Sequence, residues 1–439
     1  MLNDLRIESR AISSLRPYPN NARLHSKKQI AQIARSIEQF GFTNPILIDD
    51  QSMILAGHGR LAAAMLLNMK EVPCVVLSRM SPTQKRAYVL ADNKLVLNGT
   101  WDEEVLATEL QNLLTLDCGF DADLTGFSIP DIDRLIEGLN PSEDGNPKDE
   151  RVPLLADTAV TKSGDLWILG PHKLLCGNAL DEATFESLMG DERAEMVFTD
   201  PPYNVPIDGN VGGLGKVRHR EFAMGSGEMS KAEFTEFLRD MMRNLVRYST
   251  DGSIHFHCMD WRHLAEILAA SEGTYTELKN ICVWVKDNGG MGTFYRSRHE
   301  LILAFKSGRA PHINTFELGQ HGRYRTNVWE YRGYSRVGKN SDDQFAAHPT
   351  VKPVRMIADA IKDASSRGGL VLDCFGGSGS TLIAAHRTGR RARIIEIDPL
   401  YVDVAIRRWQ DISKDDAVLA STGETFSGAI KRRSEGGAA

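Results

Sequence analysis

An apolar stretch, Leu370 to Leu372, runs through Asp373 into Gly376, Gly377, Ser378 and Gly379, and a helix opens at about Thr381. This junction limits the fold more than any other segment. Its glycines let backbone approach a ligand closely, the free N–H groups of a helix N-terminus offer an anion site, and both features belong to open α/β sheets. A second apolar stretch, Ala392 to Ile395, ends in Glu396, 17 residues beyond Gly379. In doubly wound sheets an acid at that place accepts hydrogen bonds from ribose hydroxyls. The residues therefore predict a bound adenosine that carries a small anionic group. A bare strand-to-helix turn and a dinucleotide oxidoreductase are the rival readings. The missing third glycine in Gly377-Ser-Gly379-Ser-Thr-Leu weakens the second of these.

From Gly164 onward, apolar strands over 165–170, 194–200, 252–258, 281–285 and 300–305 alternate with amphipathic helices over 234–247 and 353–364. That alternation predicts an open, mixed α/β sheet. Residues 1–95 read as a separate compact α/β unit and 96–153 as acidic helices followed by a linker. Residues 154–412 form the main domain, and 413–439 are a polar tail expected to fray. With 42% hydrophobic and 25% charged residues among 439, the composition is that of a globular protein, not a disordered or membrane chain. No apolar run approaches the roughly 18 to 20 residues that span a bilayer. The N-terminal residues lack the apolar core of a secretory signal, so a cytoplasmic protein is expected. Six cysteines lie far apart without a CxxC pair, which excludes a zinc ribbon or disulfide scaffold. His255 and His257 alternate on a strand and read as structural, so no metal is expected.

The stretch Ala194 to Thr199 delivers Asp200, Pro201, Pro202 and Tyr203 to the C-terminal edge of its strand, where open α/β sheets carry their chemistry. Proline fixes backbone angles and removes donors, so the neighbouring carbonyls are held as acceptors. The exocyclic amino group of a nucleobase is a poor nucleophile because its lone pair is delocalised into the ring. If Asp200 and the carbonyl of Pro201 or Pro202 each accept one of its hydrogens, the nitrogen is drawn toward tetrahedral geometry. Its lone pair can then point at an electrophilic methyl group. Tyr203 would stack on the base, which must leave the duplex to be reached.

Asp200-Pro-Pro-Tyr203 taken with Phe375-Gly-Gly-Ser-Gly-Ser-Thr381 resembles the amino-methyltransferase family of DNA, whose cofactor is S-adenosyl-L-methionine. The order of the two motifs is similar to that of the β-class, a circularly permuted arrangement of the Rossmann-like sheet. His348-Pro-Thr350-Val-Lys352-Pro353 and the segment Gly164 to Asn178 resemble further parts of the family. Over roughly 155–412 the resemblance implies cofactor contacts from Asp373, Phe375, Gly376, Gly377, Gly379 and Glu396, with Thr350 and Lys352 near the amino-acid end. Asn178 stands where an aspartate is commoner, and Cys374 where a proline is usual. An aspartate before the two prolines leans toward N6 of adenine over N4 of cytosine.

Net charge is only −6, but its distribution is uneven: residues 101–150 hold fourteen acidic side chains against two basic ones, while 286–339 hold ten basic against four acidic. The basic stretch, interleaved with Phe294, Tyr295, Tyr324, Trp329 and Tyr331, is the candidate face for double-stranded DNA. Arg296, Arg298, Arg323, Arg325, Arg332 and Arg336 are its expected contacts. The glycine-rich segment Asp208 to Gly227 reads equally as a loop that closes over the extruded base or as a disordered insertion. Near the N-terminus, residues 44–49 and 54–77 resemble the N-terminal domain of the ParB family, which shares the sulfiredoxin fold. Gly57-His58-Gly59-Arg60 stands where that family has a glycine–acid–arginine–arginine motif for nucleoside triphosphates, and Gly57 and Arg60 match. The resemblance implies a nucleotide or DNA phosphate at this loop, and a homodimer. The chain is thus expected to be a site-specific DNA adenine N6-methyltransferase with a ParB-like N-terminal domain. Cytosine N4 methylation, and a ParB-like DNA-binding protein with a vestigial enzyme domain, are the alternatives.

Overall fold

The computed structural model describes residues 6–116, 122–138, 146–205, 225, 227–287, 289, 294–316, 324–332 and 351–435. Its chain divides into two compact units, residues 1–139 and 140–439. In the first, β1 (Ile7–Ala11) is followed by α1 (Lys27–Phe40), β2 (Ile46–Ile48), β3 (Ile54–Ala56), α2 (His58–Leu66), β4 (Glu71–Val76) and α3 (Pro82–Val96). α1 starts where the Ser26 side chain accepts the Gln29 N–H, and α3 starts at a reciprocal capping box between Ser81 and Gln84. The strands join in the order β1-β4-β2-β3, with β2 and β4 parallel. Ile46, Ile48, Ile54, Leu61, Val72 and Cys74 form the core. α4 (Glu103–Leu116) and α5 (Ile129–Gly138) pack on each other through Ala107, Leu110, Ile132 and Leu135, a cluster of their own.

The second unit opens with β5 (Leu166–Leu169), β6 (His172–Cys176), α6 (Glu182–Met189), β7 (Ala194–Thr199), α7 (Lys231–Arg247), β8 (Ser249–Met259) and α8 (Leu264–Ser271). There follow β9 (Glu277–Val285), β10 (His299–Lys306), β11 (Val328–Glu330), α9 (Val354–Ala364), β12 (Leu370–Asp373), α10 (Ser380–Arg387), β13 (Arg391–Glu396) and α11 (Pro399–Ser413). The chain finishes with β14 (Val418–Leu419) and α12 (Phe426–Glu435). Ten strands join in the order β11-β9-β10-β8-β7-β12-β13-β6-β5-β14. The middle five, β8 to β6, are parallel, and antiparallel pairs flank them. Successive residues of a central strand point to opposite faces, and both faces are covered: Met196 and Phe198 join one core, Ala194 and Val197 the other. α9 and α10 cover the first face, α6, α7 and α8 the second.

This order fixes where chemistry can occur. From β7 the chain winds through α7 to β8 on one side, and from the adjacent β12 it winds through α10 to β13 on the other. Departing connections leave a crevice beyond the C-terminal ends of β7 and β12, the switch point at which open α/β sheets bind ligands. His255 and His257 lie in β8, fully buried, and share the Tyr275 hydroxyl at 2.8 Å each. Burial lowers both imidazoles, His257 to about 3, and the shared hydroxyl ties the pair into the sheet.

Two stretches differ from their composition. Residues 413–435 do not fray: α11 continues to Ser413, β14 pairs with β5, and Phe426 packs edge-on against Trp167 with ring centroids 5.3 Å apart. Few apolar residues in a polar tail suffice because each meets a buried partner. Phe426→Ala is accordingly expected to cost about 3–5 kcal/mol, read as a lowered midpoint in denaturant titration. The end of the linker is likewise held. Asp149 pairs with Arg387 at 2.6 Å, its carbonyl accepts from Arg408 at 2.6 Å, and Glu150 accepts the Val354 N–H at the start of α9.

Candidate active site

The glycine junction is built as a tight cradle. At the end of β12, Asp373 accepts the Phe375 N–H at 3.0 Å and the Thr199 hydroxyl at 2.9 Å, which joins β12 to β7. Gly377 and Gly379 have φ of 49° and 84°, in the left-handed region that glycine tolerates. A side chain at Gly379 would also meet Ala405 of α11 at 2.9 Å. Glu396, at the end of β13, accepts the Gly377 N–H at 2.7 Å and the Asp398 N–H at 2.8 Å, so the acid both shapes the loop and faces the crevice. Burial, only partly offset by these bonds, pushes its carboxyl up to about 7. The same cause raises Asp373 to about 6.

Beside this cradle β7 ends in the acid–proline–proline–tyrosine turn. The Asp200 carboxylate accepts from Lys352 Nζ at 2.5 Å and from the Tyr203 hydroxyl at 2.7 Å. Glu300, near the start of β10, accepts from Lys352 at 3.1 Å, from Tyr203 at 3.2 Å and from Lys286 just beyond β9. Burial works to raise Asp200, and the neighbouring Lys352 does not fully reverse it. Burial works the same way on Glu300, but Lys352 and Lys286 outweigh it and hold the carboxyl at about 2. Burial would lower Lys352, yet Asp200 and Glu300 together keep it well above the ordinary lysine range. The site thus brings two carboxyl groups, Asp200 and Glu300, against two lysines, Lys352 and Lys286.

A single cavity joins these parts. Asp200, Pro201, Pro202, Tyr203 and Lys352 line one side, and Asp373, Phe375, Gly376, Gly377 and Glu396 the other. Phe198, Ile357 and Tyr401 complete it. The structure therefore brings the candidate catalytic and candidate cofactor residues to one cavity although Asp200 and Glu396 stand 196 positions apart in the chain. Gly379 supports the cradle from the N-terminus of α10. Thr350 lies outside the described residues, as does most of Asp208 to Gly227. Asn178 turns back to accept its own Leu180 N–H at 3.0 Å. Sequence reasoning missed Glu300 and Lys286. An acid that begins an apolar strand and a lysine that ends one read as ordinary edge residues, and nothing local ties either to Asp200.

The candidate DNA residues divide. Arg296 and Arg298 are exposed on the connection between β9 and β10, which leaves the sheet at the same edge as Asp200 because β10 runs antiparallel to β8. Phe294 and Tyr295 beside them are 86% and 80% exposed. Arg332 is also exposed, and Arg323 and Arg336 lie outside the described residues. Arg325 departs from expectation: it donates to Asp363 and to Tyr331 at 2.9 Å each and stacks over Trp329, which commits its guanidinium to an internal brace. In the first unit Gly57, with φ of 103°, starts α2. Arg60 lines a cavity of mixed character, with Gln29, Gln32 and Asn44 beside Ile33, Phe42 and Leu124. His58 accepts the Tyr18 N–H at 3.2 Å and Gly59 packs against His25, so both serve the local fold.

Comparison with known proteins matches three stretches. Residues 194–407 match the family described as DNA methylase, 104–163 the ParB-methyltransferase HTH domain, and 3–94 the ParB N-terminal domain. The chain is 50% identical over 86 residues to the ParB-like nuclease domain-containing protein YnaK of Escherichia coli K12, covering 20% of this chain and 99% of YnaK. It is 26% identical to the DNA adenine methyltransferase YhdJ of the same organism over 269 residues, 55% of this chain and 85% of YhdJ. A solved structure of the M1.HpyAVI–SAM complex is similar at 18% identity and a TM-score of 0.39, over 54% of this chain and 97% of that one. The helix-turn-helix match falls on the α4 and α5 region, which composition alone marks only as acidic and helical.

Proposed function

We infer from this chain's membership of the N6/N4 DNA methylase family, in which it carries a ParB-like N-terminal domain, that it methylates the N6 amino group of adenine in double-stranded DNA with S-adenosyl-L-methionine as donor. One observation carries the reading: Asp200 and Tyr203 open onto the same cavity as the glycine cradle and Glu396. The residues present suit the donor. Phe375, Ile357 and Tyr401 offer apolar walls for an adenine ring, and the Glu396 carboxylate can accept from ribose hydroxyls. When bound, the donor supplies an electrophilic methyl group on a positively charged sulfur.

Asp200 and a carbonyl of Pro201 or Pro202 accept the two amino hydrogens, and Tyr203 stacks on the extruded base. With both hydrogens held, the amino lone pair is turned out of the ring toward the side of the cavity lined by Phe375, Gly377 and Glu396, where the donor would supply its methyl group. The surplus N–H proton leaves on the Asp200 side. Positioning and charge are the protein's whole contribution. An aspartate ahead of the prolines favours adenine, and the likeness to an adenine methyltransferase supports it. Purified protein incubated with the donor and unmethylated duplex DNA tests the reading by nucleoside mass spectrometry. N6-methyladenine is expected, N4-methylcytosine would move the assignment to the other base, and neither product would contradict it.

We assign Arg296, Arg298 and Arg332 to DNA phosphates, with Phe294 and Tyr295 as stacking surfaces. Replacing Arg296 and Arg298 together by alanine is expected to weaken DNA binding and flatten its dependence on log salt by about 2, about one for each phosphate left without its arginine, with donor affinity unchanged. Fluorescence anisotropy over a salt series measures both. We assign Gly57, at a helix start, and Arg60, which lines a neighbouring cavity, as the corresponding phosphate contacts in the N-terminal unit.

A further inference from the structure

Both oxygens of Asp200 are engaged before any base arrives. Lys352 Nζ donates to one at 2.5 Å and the Tyr203 hydroxyl to the other at 2.7 Å. A carboxylate held in this way offers fewer lone pairs to an incoming amine, so one donor must let go. A buried ammonium cannot let go into nothing, because an uncompensated charge in the interior is costly. Each donor has a second acceptor within reach, and it is the same atom: Glu300 Oε2 lies 3.1 Å from Lys352 Nζ and 3.2 Å from the Tyr203 oxygen. The other Glu300 oxygen is secured by Lys286, whose ammonium also rests 4.6 Å from the Trp284 ring centroid. Register pairs Glu300 with Trp284 across β9 and β10, so the holder and its anchor come from adjacent strand ends.

We propose that Glu300 is a positioning residue for methyl transfer: it takes over the Lys352 ammonium and the Tyr203 hydroxyl, so that Asp200 is free to accept the target amino group. The proposal rests on the reading of Asp200 as that acceptor. Two carboxylates and two ammonium groups balance within the cluster, so the handover uncovers no charge. The shift is shorter than a bond length, and Lys286 keeps the receiving carboxylate ionised and fixed. Without Glu300, Asp200 is the one carboxylate among the described residues still paired with Lys352, and the ion pair holds the acceptor in its resting state.

The test is single-turnover methyl transfer across pH at saturating DNA and donor, with donor affinity measured by calorimetry on the same full-length proteins. Glu300→Gln is expected to slow transfer by about 10- to 100-fold, the scale of a misplaced reacting group, and to leave donor affinity unchanged. The groups facing Asp200 are Lys352, Glu300 and Tyr203, with Asp373 and Cys258 behind them. Removing Glu300 removes a like charge, so Asp200 ionises more readily and the acid limb of the rate profile moves to lower pH. Glu300→Asp, which keeps the charge, is expected to recover part of the rate. A Glu300→Gln rate and acid limb equal to wild type would overturn the proposal. An equal fall in donor affinity and rate would overturn it too, by making Glu300 a cofactor ligand. Lys286→Gln, at a partly exposed side chain, gives an independent reading if Glu300→Gln fails to fold: a slower rate at unchanged donor affinity supports the proposal, and a wild-type rate overturns it. Wild-type silence on DNA would sink the methyl-transfer reading and this proposal with it, whereas the ratio of variant to wild type on DNA that both methylate tests Glu300 alone.

Discussion

Asp200→Ala is expected to lower methyl transfer to DNA by a factor on the order of 10³ while the protein still binds donor and DNA. The carboxylate is the one charged acceptor at the end of β7, and the prolines beside it supply only carbonyls. Its loss leaves the amino lone pair in the base's π-system and removes the nearest negative charge from a nitrogen that turns positive as the methyl arrives. The fold should survive, because Lys352 keeps Glu300 as counter-ion at 3.1 Å. Asp200→Asn should fall between wild type and alanine, since its amide oxygen still accepts one hydrogen. Rapid-quench single turnovers, paired with calorimetry for donor and anisotropy for DNA, separate chemistry from binding. Equal losses of rate and donor affinity would mean that Asp200 serves the cofactor, not the amine.

The second large effect belongs to Glu396. Glu396→Ala is expected to weaken S-adenosyl-L-methionine binding by about 30- to 100-fold, or about 2–3 kcal/mol, the scale of losing charge-assisted hydrogen bonds. The same change frees the Gly377 and Asp398 N–H groups that shape the cradle. A pH dependence follows from the raised carboxyl. Ribose hydroxyls donate to the ionised form, so wild-type donor affinity should rise as pH climbs through about 7. Stability of the ligand-free protein moves the other way. A folded-state pKa above the unfolded value of about 4.3 favours the protonated folded form, so this contribution is full below that value and is lost as pH rises toward about 7. Asp373, raised to about 6, adds a change of the same sign. In Glu396→Ala the Glu396 share of both dependences should vanish, which calorimetry and thermal melts between pH 5 and 8 would register.

What the sequence revealed, and what it did not, divides by the range of the interactions involved. The glycine cradle, Glu396 and the turn at Asp200 were legible because each is a strand end followed by residues with special backbone or charge properties. Such features are local, and the open α/β rule then sets them at one sheet edge. Lys352 was reached only through family resemblance. Its partnership with Asp200 spans 152 positions and depends on α9 and β7 meeting on one face. Glu300 lies a further strand away, beyond β8, and only the antiparallel register of β10 turns its start toward the catalytic edge. The reading of Arg325 erred for a similar reason. Composition groups it with the exposed arginines, but Asp363 and Tyr331 lie close enough to bind it from inside.

The same logic explains the tail and the linker. Ala417, Leu419, Phe426 and Ala429 are scattered apolar points of a polar stretch, too few for a periodic signal, yet all four are buried in the core at the end of the sheet. Asp149 and Glu150 look like solvated linker residues until Arg387, Arg408 and the start of α9 supply partners. The ParB-like unit was legible in outline. At its loop, however, His58 and Gly59 serve packing, while Arg60 lines a neighbouring cavity.

The most direct test of the central claim is to express the wild-type chain and Asp200→Ala side by side in a host without this modification. The host DNA would be sequenced by a method that reports N6-methyladenine and N4-methylcytosine in context. N6-methyladenine in one short motif with the wild type, absent with Asp200→Ala, is the predicted result and would give the recognition sequence in the same step. Methyladenine that persists in the Asp200→Ala host, or no base methylation from a wild-type protein that binds S-adenosyl-L-methionine and DNA, would contradict the account.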